Sequence, residues 1–145
     1  MGKVIVKYKK MSENAVAPFR RYPDDAGFDL TATTFCINDY GIYDYWLGIA
    51  IELPKGYWAD IRARSSVYET GLCLCNGSGV IDCSYRGELR AKFYKVVPGL
   101  PSYEIGERCC QIIIVGANPE DVVWQEVEEL GCTERSDGGF GSTGK

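Results

Sequence analysis

Apolar residues arrive in short runs along this chain: VIVKY, FCI, YWLGIAIEL, YWADIRA, VID, LRAKFYKVV, CCQIIIV and VVWQEVEEL. Tyr, Trp, Val and Ile fill them, as strands prefer. Polar stretches rich in Gly, Pro, Asn and Asp separate them: PDDAG, LPKG, NGSG, PGLPS and GANPED. Short strands punctuated by regular turns predict an all-β sandwich or barrel. One helical turn is expected around SSVYETG, where serines can cap its start. No repeat or linker divides the chain. The pattern predicts a β domain over residues 1–132 and a flexible polar arm over 133–145, including ERSDGGFGSTGK, with nothing apolar beside Phe140 to bury it.

The length of 145 residues suits one domain. Such a chain buries roughly 70% of its unfolded surface, enough for one core. The net charge of −4 argues against an electrostatic grip on nucleic acid or acidic membrane, so neither partner is expected. A local cluster of cations is still free to meet a nucleotide. There is no histidine, so acid–base chemistry falls to carboxylates, Tyr, Lys or Cys. Any metal is expected to meet oxygen, pointing to magnesium or calcium. The seven cysteines are odd in number, form no C-x-x-C, and follow an N-terminus without a long apolar core. They read as reduced thiols of a cytoplasmic compartment.

Candidate chemistry is spread over four stretches. The tail GFGSTGK matches most of the phosphate-binding pattern G-x-x-x-x-G-K-[ST], but the hydroxyl residue and helix that complete it do not follow Lys145. Its parts still suit a nucleotide. Glycines bring backbone N–H groups close to an anion, Arg135 offers a fork to phosphate, and Phe140 offers a flat face to a base. ARSS, at Ala63 to Ser66, puts a cation and two hydroxyls at a strand end. Taken alone, such a triplet is more often a surface loop. In NGSGVIDCSYRGE, Gly77 and Gly79 suggest a hairpin or an exposed backbone edge, and Asp82 is either a turn residue beside a core Tyr or a carboxylate able to hold and deprotonate a water. DAGFDL holds Asp25 and Asp29 around a glycine, either a turn into a strand or a carboxylate for a hydrated cation.

Together and in this order, DAGFDL, ARSS, NGSGVIDCSYRGE, GERCCQ and ERSDGGFGSTGK resemble the five motifs of the trimeric dUTP pyrophosphatase (dUTPase) family. The resemblance runs from about Asp25 to the C-terminus. It implies a jelly-roll-like distorted β-barrel, a homotrimer, and hydrolysis of dUTP to dUMP and pyrophosphate with Mg2+. It also implies that one subunit's tail closes over an active site at a subunit interface. By position, Asp82 matches the carboxylate that activates water at the α-phosphorus, and Tyr85 the ring that packs on deoxyribose. Gly79, Val80 and Ile81, with Asn76, match the hairpin that reads uracil. Asp29 matches the residue tied to magnesium through water. Arg64, Ser65, Ser66 and Gln111 match phosphate ligands. Arg135, Phe140, Gly141, Ser142 and Thr143 match the arm's phosphate and base contacts.

Some positions depart from the family pattern. Many relatives carry a second acid where this chain has Ser84, and Asp137 adds a negative charge to the arm. The related dCTP deaminases carry a catalytic glutamate where Lys92 stands here, which argues against deamination. A nucleotide-responsive interaction protein with a regulatory partner is the alternative from another class. The encoding genome, whether cellular, viral or phage, is not legible.

Overall fold

The computed structural model describes residues 2–117, 119–141 and 144, with the side chain of residue 119 left aside. Ten strands form in the order β1 Val4–Lys10, β2 Phe28–Thr31, β3 Thr34–Ile37, β4 Tyr43–Glu52, β5 Trp58–Arg62, β6 Leu72–Leu74, β7 Gly79–Ile81, β8 Glu88–Lys95, β9 Arg108–Val115 and β10 Val122–Glu126. The helical turn expected around SSVYETG is a 3-10 helix of six residues, Ser65–Thr70, closed by Gly71 in the left-handed region; the serines do not cap it, since its N-cap position is Arg64 and no side-chain cap hydrogen bond forms.

The strands divide into two open sheets. One has the order β10-β1-β4-β8-β6, with β3 also paired to β4. The other has the order β2-β9-β5-β7. The all-β expectation holds, and the arrangement is consistent with a distorted jelly roll. The barrel does not hold, since among the described residues neither sheet closes on itself. A closed barrel needs every edge paired, whereas β7 and β6 each have one neighbour.

Alternation along the strands explains the layers. In β8, Leu89, Ala91 and Phe93 are buried while Arg90 and Lys92 face outward. In β9, Cys110, Ile112 and Ile114 point inward and Gln111 outward. Strand β4 is apolar over nearly its whole length because it lies between β1 or β3 on one side and β8 on the other. Gly48, at φ +73°, marks the register shift between Trp46 and Ala50, a bulge that a side chain would crowd.

An aromatic cluster fills one end of the shared core. Phe35 stacks on Tyr45 at 4.8 Å, and Phe93 meets Tyr45 edge-on at 5.8 Å. The buried Tyr45 hydroxyl donates to the Tyr103 carbonyl at 2.9 Å, and burial pushes its acidity well below that of an ordinary phenol. All seven cysteines are free. Cys109 and Cys110 serve as core residues, but Cys36, Cys73 and Cys132 are exposed. Truncating Phe93 to Ala should cost roughly 3–5 kcal/mol in chemical denaturation. Tyr40, 90% exposed, should tolerate the same change within about 0.5 kcal/mol.

Candidate active site

Two groups of predicted site residues assemble on either side of β5. The first gathers where β2 and β9 run antiparallel, with Asp29 opposite Gln111. The Asp29 carboxylate accepts from Arg108 at 3.0 Å and lies 3.5 Å from the Arg64 guanidinium. Arg64 also donates to the Arg108 carbonyl at 3.1 Å. Gln111 donates to the Ala63 carbonyl at 3.0 Å. Arg64 and Ser66 line an open cleft of about 620 Å3 together with Tyr103 and Arg108, and Ser65 is exposed at the start of the 3-10 turn. Two arginines and free hydroxyls beside open space suit a polyanion.

The second group surrounds a smaller pocket of about 180 Å3. Asn76, Gly79, Val80, Ile81 and Tyr85 line it. That is well below the roughly 300–1,000 Å3 typical of drug-sized ligands and on the scale of one ring system. Of the two readings of NGSG, the exposed backbone edge holds and the two-stranded hairpin does not. Strand β6 pairs with β8 in one sheet, while β7 pairs with β5 in the other, so the 75–78 turn carries the chain between sheets. The polar Asn-Gly-Ser-Gly run favoured a turn, but the sequence does not show to which sheet each flank belongs. The result is an edge: β7 pairs with β5 alone, and Val80 is 56% exposed. A Cβ on Gly79 would sit 3.1 Å from the Ile61 Cβ and 3.6 Å from the Asn76 amide nitrogen.

A turn closed by the Tyr85 amide and the Asp82 carbonyl, at 3.0 Å, follows directly on Ile81, so Asp82 stands in the chain between Ile81 and Tyr85, two residues that line this pocket. Tyr85 is buried and donates its hydroxyl to the Glu88 carbonyl at 3.1 Å; burial raises its pKa above the ordinary value. The Asp82 side chain is 56% exposed and paired with Arg135. Cys83 next to it turns its thiol toward the Leu53 carbonyl at 3.4 Å.

From segment 131–141, Arg135, Gly139 and Phe140 line this same pocket. The Gly131 amide donates to Glu52 at 2.6 Å, Thr133 to the Ser84 carbonyl at 2.6 Å, and the Arg86 amide to the Ser136 carbonyl at 2.6 Å. A Cβ on Gly139 would stand 3.0 Å from the Tyr85 ring. Ser136 and Phe140 adopt φ of +54° and +52°, left-handed values that cost a non-glycine residue about 1–2 kcal/mol each. The Phe140 ring lies 4.0 Å from the Lys92 ammonium and 4.9 Å from the Arg90 guanidinium. Gly141 is exposed, with open space around it. Ser142 and Thr143 fall outside the described residues.

The large cleft and the small pocket share no lining residue. One chain therefore gathers an anion cluster and a ring-sized pocket without joining them. Sequence reasoning missed Arg108, although GERCCQ contains it, and Arg90. Arg90 stacks on Trp46 at 4.1 Å and is held by the buried Asp44. Strand alternation could have placed Arg90 outward, but its aromatic and acidic partners come from β4 through pairing.

Two open β sheets, an arginine cluster fit for phosphates and a carboxylate beside a ring-sized pocket define a nucleotide-handling β protein. Comparison with known proteins takes this further. The family model described as dUTPase matches residues 13–144. A deoxyuridine 5'-triphosphate nucleotidohydrolase of Hydrogenobaculum sp. is 40% identical, over 94% of this chain and 95% of its own length. Another, from Anaplasma marginale, is 37% identical, over 96% of this chain and 97% of its own length. Among solved structures, the dUTPase of Streptococcus mutans aligns with a TM-score of 0.65 at 26% identity, covering 75% of this chain and 94% of that one. A mutant dUTPase of Staphylococcus bacteriophage 80alpha, solved with dUpNHpp, aligns at 0.61 with 24% identity, covering 97% and 98%, and supports the fold. This chain belongs to the dUTPase family, and it is a hydrolase.

Glu52 anchors the start of the arm, and the Gly131 hydrogen bond holds its pKa below the ordinary glutamate value. A carboxylate with a lowered folded pKa stabilises above its unfolded pKa, and that stability is lost as pH falls through the folded one. The Gly131 amide resonance should therefore titrate with a midpoint below the ordinary glutamate value. Glu52→Gln should remove the transition.

Proposed function

We propose that the chain hydrolyses dUTP to dUMP and pyrophosphate, with Asp82 as general base for the attacking water. The observation that carries this reading is an exposed carboxylate in one turn with the buried Tyr85 and paired with Arg135, both of which line the ring-sized pocket. Asp82 would orient a water and take its proton as the water oxygen bonds to the α-phosphorus and pyrophosphate departs. Tyr85, packed under the sugar, would leave no space for a 2′-hydroxyl. The β7 edge and Asn76 would meet the base. Cytosine presents the wrong donors there, and thymine adds a methyl.

Arg64, Ser65, Ser66 and Gln111 would take the phosphates, with Arg108 beside them. The arm from 133 onward would close the site, using Arg135, Phe140, Gly141, Ser142 and Thr143. In the free chain Arg135 sits on Asp82. Phosphates that draw Arg135 away would release a carboxylate oxygen for water. Because the anion cluster and the base pocket are separate in one chain, a homotrimer would complete each site with residues of another copy.

The metal question turns on the donors present. Among the described residues no three His, Cys, Asp or Glu side chains cluster to hold an ion. Asp29 is the carboxylate in the arginine cluster, and its oxygens face Arg64 and Arg108. One carboxylate fits a hydrated Mg2+ carried mainly by substrate phosphates, and does not make a protein cage. Asp29 would meet it through water, and the bound ion would offset charge on the triphosphate. Among the described residues no helix is long and apolar enough to cross a membrane.

Asp82→Asn should lower kcat by about 10²–10⁴-fold while leaving dUTP affinity nearly unchanged. Pyrophosphate release and isothermal titration measure the two halves, and a near-normal kcat would assign the water to another group. Deleting Ser136–Lys145 should reduce kcat sharply and leave the assembly intact by gel filtration.

A further inference from the structure

We propose that Asp60 and Ser78 are a positioning pair that sets which base the Gly79–Ile81 edge accepts, an inference that rests on the dUTP reading above. Asp60 sits on β5, only 4% exposed, opposite Val80 in register. One of its carboxylate oxygens accepts the Ser78 hydroxyl at 2.5 Å, and the other accepts the Arg62 guanidinium at 2.7 Å. A buried carboxylate with both oxygens engaged is a fixed point, because moving it would strand a charge away from water.

What it fixes is a weak element. Strand β7 pairs with β5 over three residues, and among the described residues its outer side has no strand partner. So short an edge frays readily unless something else holds it. The turn feeding it is also tight. The Ser78 amide donates to the Asn76 carbonyl at 2.5 Å around Gly77, whose φ is +64°. A glycine at the centre takes this positive φ without steric cost. The Ser78 hydroxyl therefore closes the gap between a tight turn and a rigid strand. It is the side chain just before Gly79, whose backbone lines the ring-sized pocket.

The consequence is chemical. Uracil and cytosine differ at their pairing edge by exchange of donors and acceptors, so an edge that discriminates them must hold its own N–H and C=O groups in place. A turn released from Asp60 can slide or rotate and offer the opposite group. Uracil binding would weaken, and cytosine would be rejected less strongly.

The test uses the full-length chain and its Ser78→Ala, Ser78→Thr and Asp60→Asn variants. kcat and KM are measured with dUTP and with dCTP, by pyrophosphate release in Mg2+, and thermal melting is followed for each. Ser78→Ala should raise KM for dUTP more than it lowers kcat and reduce the dUTP-to-dCTP ratio of kcat/KM about tenfold. Ser78→Thr, which restores the hydroxyl, should restore the ratio. Asp60→Asn, which keeps an acceptor for Ser78, should shift the ratio less than Ser78→Ala does. A Ser78→Ala enzyme with a lower melting temperature and an unmoved ratio would show a structural bond only and overturn the proposal. If the unaltered protein releases no pyrophosphate from dUTP, the dUTP reading itself fails, a result distinct from an unmoved ratio in an active enzyme.

Discussion

Strand β5 lends its two hydrogen-bonding edges to different neighbours, β9 on one side and β7 on the other. Ile61 shows the arrangement: it lies opposite Ile112 of β9 and Gly79 of β7. The arginine cluster grows from the β9 side and from the turn that follows Arg62. The ring-sized pocket grows from the β7 side. A slip of one residue in β5 would turn Asp60 into the core and Ile61 out of it, misplacing both halves together. The buried Ala59 and Ile61 guard against that slip by packing inward.

With no histidine in the chain, charge near the site is organised by Asp–Arg pairs. Asp29 holds Arg64 and Arg108, Asp44 holds Arg90, Asp60 holds Arg62, and Asp82 holds Arg135. Their burial separates them into two kinds. Asp44 and Asp60 are nearly inaccessible, so removing either arginine would leave a buried carboxylate without its ion pair. These two pairs are scaffold. The Asp82 side chain is 56% exposed, and an exposed pair is worth only about 0–1 kcal/mol. Phosphates can outbid so weak a partner. The pair beside the pocket is thus the exchangeable one, the property that the proposed closure of the arm would need.

The arm follows the same logic. Its near end is tied by hydrogen bonds to Glu52, Ser84 and Arg86. Its far end rests on cation–aromatic contacts at Phe140, each about 0.5–1 kcal/mol when exposed. Left-handed φ values at Ser136 and Phe140 oppose that gain. A segment balanced in this way stays in place by a narrow margin, and a ligand that adds a stacking partner can shift it.

Local chemistry made much of this molecule readable from the chain. Runs such as CCQIIIV and LRAKFYKVV declared strands because side chains alternate across a sheet. SSVYETG declared a helical turn, and Asp82, Tyr85, Arg64 and Gln111 stood out through residue type and motif order. Long-range pairing was not readable. NGSG announced a turn, but hydrogen bonds to β5 and β8, made by residues distant in the chain, placed its flanks in different sheets. Arg90 became a seat for Phe140 only because β4 set Trp46 and Asp44 beside it, and Asp60 became the anchor of Ser78 only once β7 lay against β5. A run of residues carries its own periodicity and turn chemistry, whereas the neighbours that give a charged side chain its task are supplied by folding.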